Sequence, residues 1–237
     1  MSHITKLLAI SLIVMSGVVS AEQGDILIRV RGIAVIPNDD SGTISLFTGP
    51  VGTPLAGSGV SVDSSIVPEV DITYMLHRNW GIEVIAGMTN HDVKLEGPGA
   101  ALTGLGFTDN YKIFDAWVLP PTVTLQYHFM PENHIRPYAG IGINYTAFLW
   151  NDATDSLEAA VGSPVDVDTD SSWGWAAQVG VDIDWKNNWY FNLDLKYIDI
   201  DTTASLLIKN GALGGTGLRV DANIDPFVVG AGIGYRF

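Results

Sequence analysis

Apolar and polar residues alternate with a period of two along most of the chain, in about eight segments that begin near Asp25. Period-two alternation is typical of a β-strand with one apolar and one polar face, whereas an amphipathic helix repeats every 3.6 residues. In the last segment the residues of one parity are bulky and apolar: Phe227, Val229, Ala231, Ile233, Tyr235 and Phe237. The pattern therefore predicts an all-β protein that is nearly free of helices.

The connections between the predicted strands alternate in length. Those at residues 77–79, 130–135 and 186–188 are short, whereas the other four span about 17 to 25 residues, which is long for a compact domain. Antiparallel strands with tight turns at one end and long loops at the other are the plan of an outer-membrane barrel. We predict an eight-stranded antiparallel transmembrane β-barrel with short periplasmic turns and long extracellular loops.

A soluble ligand-binding barrel would alternate in the same way, and several further features favour the membrane barrel, among them the placement of nearly all strand charges on the parity opposite the bulky apolar residues. Only 16% of the residues are charged, against about 25% in an ordinary soluble domain. No run of 18 apolar residues follows residue 21, which excludes a bundle of transmembrane helices. Aromatic residues near the strand ends predict girdles at the two membrane interfaces: Trp80, Tyr127, Phe129, Tyr138, Trp185, Trp189, Tyr190, Tyr235 and Phe237.

Residues 1–21 have the organisation of an export signal. Lys6 precedes an apolar stretch at residues 7–19, and Val19, Ser20 and Ala21 form a small-residue cleavage site. A single N-terminal anchor helix is the alternative, although the stretch is short and interrupted by serine and glycine. We predict a signal peptide at 1–21 and one outer-membrane barrel at 22–237.

If the strand positions that carry bulky apolar residues face lipid, the alternate positions line the barrel lumen. Charges of both signs on this parity predict a polar floor in which they pair, because an unpaired buried charge is costly. Eight strands enclose room for side chains or one small ligand, so the floor is expected to be a structural polar core rather than a water channel. The predicted floor residues are Arg29, Arg31, Glu69, Asp71, Glu83, Gln126, Asp182, Asp194 and Lys196.

Toward the long loops the lumen parity becomes apolar. The residues concerned are Ile33, Val35, Val118, Phe148, Trp150, Ile198, Ile200, Ile224 and Val228. They either fill the upper barrel or line a pocket that is open to the outside and binds a small apolar solute.

Two successive prolines, Pro120 and Pro121, interrupt the fourth predicted strand. Because proline has no N–H group, the pair removes ladder hydrogen bonds from the wall. The pair either sets a bulge near the rim or weakens the wall enough to provide a lateral exit for a solute.

Five segments of the sequence resemble the OmpW family, which includes the AlkL alkane-uptake proteins. They are LPPTVTLQYHF (119–129), RPYAGIGINYTAF (136–148), SWGWAAQVGVDIDW (172–185), NWYFNLDLKYIDIDTTA (188–204) and GAGIGYRF (230–237). The resemblance implies an eight-stranded barrel that admits small hydrophobic molecules through an apolar channel and releases them laterally into the outer membrane. By this resemblance, the proline pair of the family corresponds to Pro120 and Pro121. The apolar channel lining of the family corresponds to Phe148, Trp150 and their neighbours.

Several function classes are disfavoured by the residues themselves. The motifs G-x-S-x-G, P-loop and H-E-x-x-H are absent and the five histidines are isolated, so we predict no enzyme activity and no cofactor. The absence of cysteine excludes a disulfide scaffold and a thiolate metal site, and the net charge of −14 argues against nucleic acid. Six acidic residues and no basic one lie at 151–172; a solvated surface is the simple interpretation, and a divalent cation bridging to lipopolysaccharide is the alternative, so no metal site is predicted.

We therefore expect passive uptake of small hydrophobic molecules such as alkanes across the outer membrane of a Gram-negative cell. The alternative is a structural or interaction barrel whose loops act as a receptor for phage, toxin or host surface. The expected partners are outer-membrane lipids and lipopolysaccharide, small hydrophobic solutes, and the barrel-assembly machinery. That machinery would read the C-terminal strand, which closes in Gly232, Tyr235 and Phe237.

Overall fold

The computed structural model describes residues 22–47 and 52–237, so the predicted signal peptide lies outside the described residues. In chain order the elements are β1 (Ile26–Ile36), β2 (Asp40–Ser41), β3 (Ser45–Phe47), β4 (Gly52–Pro54), β5 (Gly59–Val62), β6 (Ser65–His77), β7 (Trp80–Gly87), β8 (Thr89–Glu96), α1 (Gly99–Gly104), β9 (Lys112–Leu119), β10 (Thr122–His128), β11 (Ile135–Ala153), α2 (Asp155–Val161), β12 (Val165–Thr169), β13 (Ser172–Lys186), β14 (Trp189–Ile198), β15 (Asp201–Ile208), β16 (Gly217–Asn223) and β17 (Phe227–Arg236).

Eight of these strands close into an antiparallel barrel in the order β1, β6, β7, β10, β11, β13, β14 and β17, with β17 paired back to β1. In the β1–β17 ladder, Val30 lies opposite Ile233 on the outer face, and Arg31 lies opposite Gly232 on the inner side. Every barrel strand exposes apolar side chains outward, for example Val30, Val70, Val84, Leu125, Ile141, Val179, Leu193 and Val229. The predicted fold, with its lipid-facing and lumen-facing parities, is confirmed.

The turns at one end of the barrel are short. β13 and β14 are joined through Asn187 and Asn188, whose φ angles of 50° and 68° are both left-handed. Two successive residues of this conformation make the tight hairpin turn that matches strand twist, and asparagine tolerates it better than most residues. This predicted short turn is therefore built from turn-forming residues.

The other end of the barrel is a folded extension rather than a set of irregular loops. Four predicted strands are each divided in two, at residues 63–64, 88, 120–121 and 224–226. Beyond the breaks, β5, β8, β9 and the end of β11 form one sheet, and β12, β15, β16, β3 and β4 form another, with β2 beside β16. Apolar residues bury against one another inside this extension, including Ile44, Val60, Leu95, Phe114, Leu157 and Leu206.

The two helices are short and belong to the same extension. Thr154 caps α2 by accepting a hydrogen bond from the Leu157 N–H, and the helix ends at Gly162 in a left-handed conformation with φ 68°. The helices bury Leu102 and Leu157 in the apolar interior of the extension. Neither α1 nor α2, the helices of the described residues, has the length or the apolar composition of a membrane-spanning helix.

Candidate functional site

Arg29 is the centre of the polar floor, the layer of inward-facing charged and polar side chains that was predicted for the lower barrel. Its Nη1 lies 2.9 Å from Asp71 Oδ1 and 3.3 Å from Glu83 Oε1, and its Nη2 lies 3.0 Å from Asp182 Oδ2. Nη1 also donates a hydrogen bond of 2.8 Å to Thr73 Oγ1. One guanidinium therefore joins β1 to β6, β7 and β13, so that the charges of the lower lumen are paired.

Arg31 and Lys196 form the upper part of the floor. Arg31 makes ionic contacts with Asp71 at 2.8 Å and with Glu69 at 3.0 Å, although the donor angles are not those of hydrogen bonds. Lys196 Nζ donates to Glu69 Oε1 and to Asp194 Oδ1, each at 2.8 Å. The structure places every predicted floor residue in a buried position: Arg29, Arg31, Glu69, Asp71, Glu83, Gln126, Asp182, Asp194 and Lys196.

Tyr138 and Tyr190 lie inside the barrel, so their assignment to the interfacial girdles is wrong. Their exposed fractions are 2% and 1%. The Tyr138 hydroxyl donates to Asp194 Oδ2 at 2.8 Å, and the two rings lie 5.2 Å and 5.7 Å from the Arg29 guanidinium carbon. Strand parity assigns both residues to the lumen, and cation–π contact with a buried arginine stabilises them there.

An apolar cavity of about 90 Å³ lies above the polar floor, and Glu69 and Lys196 form part of its lining. Its walls come from the barrel strands and from the extension. The inward-facing side chains are charged in the floor and become apolar at this level, so the walls are apolar. All but one of the residues predicted for the apolar lumen line it: Ile33, Val35, Val118, Phe148, Ile198, Ile200, Ile224 and Val228.

Trp150 is the exception, and its predicted position in the lumen is wrong. The register of β11 against β9 shifts between Phe148 and Trp150, so Leu149 is an extra residue and Trp150 pairs with Trp117. One inserted residue moves every following side chain to the opposite face of a strand. Trp150 is therefore 58% exposed on the outer face, while Phe148 still lines the cavity.

Pro120 and Pro121 interrupt the barrel wall on one side only. Toward β11 the ladder continues across them, since the Tyr145 N–H donates to the Pro121 carbonyl at 3.0 Å. Toward β7 and β8 pairing stops after Ile85–Thr122 and resumes at Thr89–Val118 with the register unchanged. In that register Gly87 lies opposite Pro120. We call the unpaired stretch between residues 86–88 and residues 119–121 the seam.

The Pro120 carbonyl is engaged by side chains inside the barrel. It accepts hydrogen bonds from Thr122 Oγ1 at 3.1 Å and from Asn144 Nδ2 at 3.2 Å. No backbone hydrogen bond joins it to Gly87 among residues 52–237. Successive residues of a strand direct their backbone groups alternately to the two neighbouring strands. Since the Pro121 carbonyl bonds to β11, the backbone groups of Pro120 are directed toward β7. Pro120 has no N–H group, and its carbonyl does not bond to β7.

A family model described as the OmpW family matches residues 22–237. The chain belongs to the OmpW family. The resemblance inferred from the five sequence segments is confirmed.

Individual outer-membrane proteins are similar to this chain along most of their length. An uncharacterized outer-membrane protein, y4mB of Sinorhizobium fredii (strain NBRC 101917 / NGR234), is 38% identical over 210 residues, which are 89% of this chain and 79% of the relative. Outer membrane protein W of Escherichia coli (strain K12) is 32% identical over 232 residues, which are 97% of this chain and 96% of the relative. The crystal structure of the outer membrane protein OprG from Pseudomonas aeruginosa matches with a TM-score of 0.80 and 33% identity, covering 92% of this chain and 98% of OprG. The protein is thus an integral β-barrel of the Gram-negative outer membrane.

The extension of this OmpW-family barrel contains a second apolar cavity, which we call the outer chamber. Its volume is about 320 Å³, and it lies between the two sheets of the extension, with α1 and α2 contributing to its walls. Val60 and Val220 line both the outer chamber and the apolar cavity above the floor, so the two cavities are neighbours. Leu105 and Leu213, which line the outer chamber, are partly exposed to solvent.

The acidic residues of the third long connection do not form a ligand loop. Asp166 and Asp168 lie on β12, where they alternate with valine, and Lys209 Nζ lies 3.0 Å from Asp166 Oδ1. No group of three or more potential metal ligands occurs in the described part of the chain. Alternating strand residues point to one face and spread their carboxylates apart, so they do not encircle an ion.

Several floor and cavity residues were not among the predicted site residues. In the floor, Arg136, Thr124, Gln178 and Asn192 are buried and hydrogen-bonded, and strand parity would have included them. The lining of the outer chamber has no such signal, because it comes from short strands and helices in connections whose pairing is not periodic with the barrel. Leu102, Phe107 and Leu157 belong to this second group.

Proposed function

We propose that this OmpW-family barrel takes up small hydrophobic molecules passively, from the extracellular side to the outer membrane. The observation that carries the proposal is an apolar cavity lying above a floor of buried, paired charges. The family membership supports the coarser statement of a small-molecule channel. The hydrophobic substrate class and the route are the proposal.

The cavity supplies the driving force for capture. A solute that removes about 200 Å² of apolar surface from water gains about 5 kcal/mol, at about 25 cal/mol per Å². The outer chamber offers the same environment closer to the cell surface, and Val60 and Val220 lie between the two. A solute moving inward therefore stays against apolar walls throughout.

The floor makes straight passage into the periplasm unfavourable. Arg29, Arg31 and Lys196 are each held by two or more carboxylates, and an apolar solute passing between them would have to separate these ion pairs. Breaking a buried pair is costly because it leaves charge uncompensated. The route of lowest cost is through the wall, at the seam beside Pro120, which lines the cavity.

The test compares two neighbouring substitutions on β11. Phe148→Asp puts a carboxylate into the cavity, whereas the control Trp150→Asp puts one on the outer face. We expect Phe148→Asp to slow the uptake of labelled dodecane by about tenfold or more, since a buried unpaired charge costs more than 1.4 kcal/mol. Trp150→Asp should leave uptake near the wild-type rate. Uptake is measured in cells that lack their own OmpW-family protein, with the amount of folded barrel in the outer membrane checked for each variant.

Equal uptake by wild type, Phe148→Asp and cells without the protein would overturn the proposal. That result would favour the alternative of a structural or interaction barrel, in which the extension serves as a receptor and nothing crosses. Contacts with lipopolysaccharide and recognition of the C-terminal strand by the assembly machinery stay predictions, as do the lack of a cofactor and of catalysis.

A further inference from the structure

Glu69 and Lys196 of the polar floor also line the base of the apolar cavity, and each has hydrogen-bonding capacity that its contacts in the floor leave unused. Apart from the titratable His91, Glu69 and Lys196 are the lining residues with ionisable side chains, and their exposed fractions are 5% and 1%. Buried polar groups are normally hydrogen-bonded, so any unused capacity at this position calls for an explanation.

Lys196 has one N–H group to spare. An ammonium has three donors, and Nζ donates to Glu69 Oε1 and Asp194 Oδ1. Among the described residues it makes no third hydrogen bond. The cavity is the open space beside it, since Lys196 belongs to the lining.

Glu69 has one oxygen to spare. The hydrogen bond from Lys196 and the ionic contact with Arg31 both involve Oε1, and in residues 22–47 and 52–237 no donor hydrogen-bonds to Oε2. Gly87 lies directly opposite Glu69 in the β6–β7 ladder and also lines the cavity. Because glycine has no side chain, residue 87 does not shield the Glu69 carboxylate from the cavity.

A donor and an acceptor side by side fit a hydroxyl group, which both donates and accepts. A carboxylate head fits poorly, because the predicted floor residues already hold five carboxylates against three cations, and Arg136 and Arg236 share Asp184 below. An alkane uses neither group. We propose that the Glu69–Lys196 pair binds the hydroxyl of a neutral amphiphile, an aliphatic alcohol or a phenol, whose apolar part occupies the cavity above.

This assignment rests on the proposed function, since it names the substrate class of the same cavity. It predicts a preference for a hydroxyl that the apolar side chains of the cavity cannot produce, and the double variant Glu69→Met/Lys196→Met separates the Glu69–Lys196 pair from the threonines that also line the cavity. Apolar walls rank solutes of one chain length by their partition from water into hydrocarbon. A paired hydroxyl adds hydrogen bonds to charged partners, which are stronger than those between neutral groups.

The first experiment uses the wild-type protein in phospholipid nanodiscs, with empty nanodiscs as the reference. Calorimetric titrations with 1-octanol, n-octane and octanoate give three affinities, each divided by the partition coefficient of the neutral solute from water into hexadecane. We expect the normalised affinity of octanol to exceed that of octane by about tenfold or more, corresponding to at least about 1.4 kcal/mol. Octanoate should bind more weakly than octanol.

The second experiment removes donor and acceptor together without changing net charge. The double variant Glu69→Met/Lys196→Met replaces the pair by apolar side chains of similar length, a change that buried ion pairs often tolerate. Its matched control is Arg78→Met/Glu132→Met, which removes an exposed pair with a separation of 2.7 Å at the turn end. We expect the octanol preference to fall to about one in the first variant and to persist in the second.

The outcomes separate the two proposals. Octane binding without any normalised preference for octanol would overturn the hydroxyl site and leave the conduit intact, even if the double variant failed to fold. A preference that survives Glu69→Met/Lys196→Met would also overturn it, because the hydroxyl would then be bound elsewhere. Wild-type protein that binds none of the three solutes would contradict the proposed function itself.

Discussion

Glu69 lies directly opposite Gly87 in the β6–β7 ladder, at the level where the polar floor meets the apolar cavity. A Cβ atom added to Gly87 would have the Pro68 carbonyl oxygen and the Cβ and Cγ of Glu69 as its nearest neighbours, at 3.6 to 3.7 Å. No atom of Pro120, which lies on the other side of Gly87, is among these three nearest neighbours. The cavity base and the seam therefore meet at a residue without a side chain.

Filling this space should close the seam. We expect Gly87→Leu to slow the transfer of an apolar solute into the membrane by about tenfold, equivalent to a barrier higher by about 1.4 kcal/mol. The control is Gly32→Leu, at an outward position where an added Cβ would meet no atom within 4 Å. Uptake of labelled dodecane into cells measures both. Normal uptake in the folded Gly87→Leu barrel would place the exit elsewhere.

The two prolines should behave differently. Pro120→Ala supplies the N–H that the seam lacks, so the Gly87 carbonyl gains a donor and uptake should slow several-fold. Pro121→Ala supplies an N–H on the β11 side, where Tyr145 already bonds to residue 121, and should leave uptake near wild type. Hydrogen exchange of the residue 120 amide, seen by NMR in lipid, would show whether the new bond forms. Equal effects of both substitutions would contradict the one-sided seam.

The ion pairs of Arg29 should dominate the stability of the lower barrel. Arg29→Met removes the ion pair of Asp182 and leaves Asp71 and Glu83 with Arg31 alone, and the free energy of unfolding should fall by about 3–5 kcal/mol. Arg78→Met, which removes an exposed partner of Glu132, should cost no more than about 1 kcal/mol. Reversible urea unfolding in phospholipid vesicles gives both values. A loss of less than about 1 kcal/mol for Arg29→Met would mean that the floor relaxes around the missing charge.

His91 should make both stability and solute binding depend on pH. It lies in the extension on β8, lines the cavity, and hydrogen-bonds through Nδ1 to the Asp63 carbonyl at 2.7 Å. Burial lowers its pKa below the ordinary 6.5, while the hydrogen bond to Asp63 acts in the opposite direction. As the pH drops below 6.5, the unfolded chain binds a proton before the folded one does, so the free energy of unfolding falls.

Protonation of His91 would also place a charge in the cavity wall. We expect octane affinity to decrease between neutral and mildly acidic pH, and His91→Gln to remove most of that dependence while keeping a hydrogen-bond donor. His134→Gln, on the exposed turn before β11, is the control and should retain it. Calorimetry at several pH values checks the prediction. A pH dependence that is unchanged in His91→Gln would assign it to another group.

Local sequence was sufficient for the barrel and for most of the candidate site. Strand alternation is a local consequence of backbone geometry, so the inward position of Arg29, Glu69 and Lys196 could be predicted without knowing any contact. The same parity placed Ile198 and Val228 in the cavity. It also assigns Tyr138 and Tyr190 to the lumen, where the structure has them, because parity follows from backbone geometry whereas the enrichment of aromatic residues at membrane interfaces is only statistical.

Only the tertiary structure decided the features that depend on pairing between distant segments. The extra residue at Leu149 is defined by its partner strand, so nothing near Trp150 in the sequence indicates that its side chain turns outward. The outer chamber exists because helices and short strands from separate connections bury apolar surface against each other. The unused Glu69 oxygen beside Lys196 is likewise a matter of distances across the lumen, where a register shift of one residue or a rotation of one side chain changes which atoms meet.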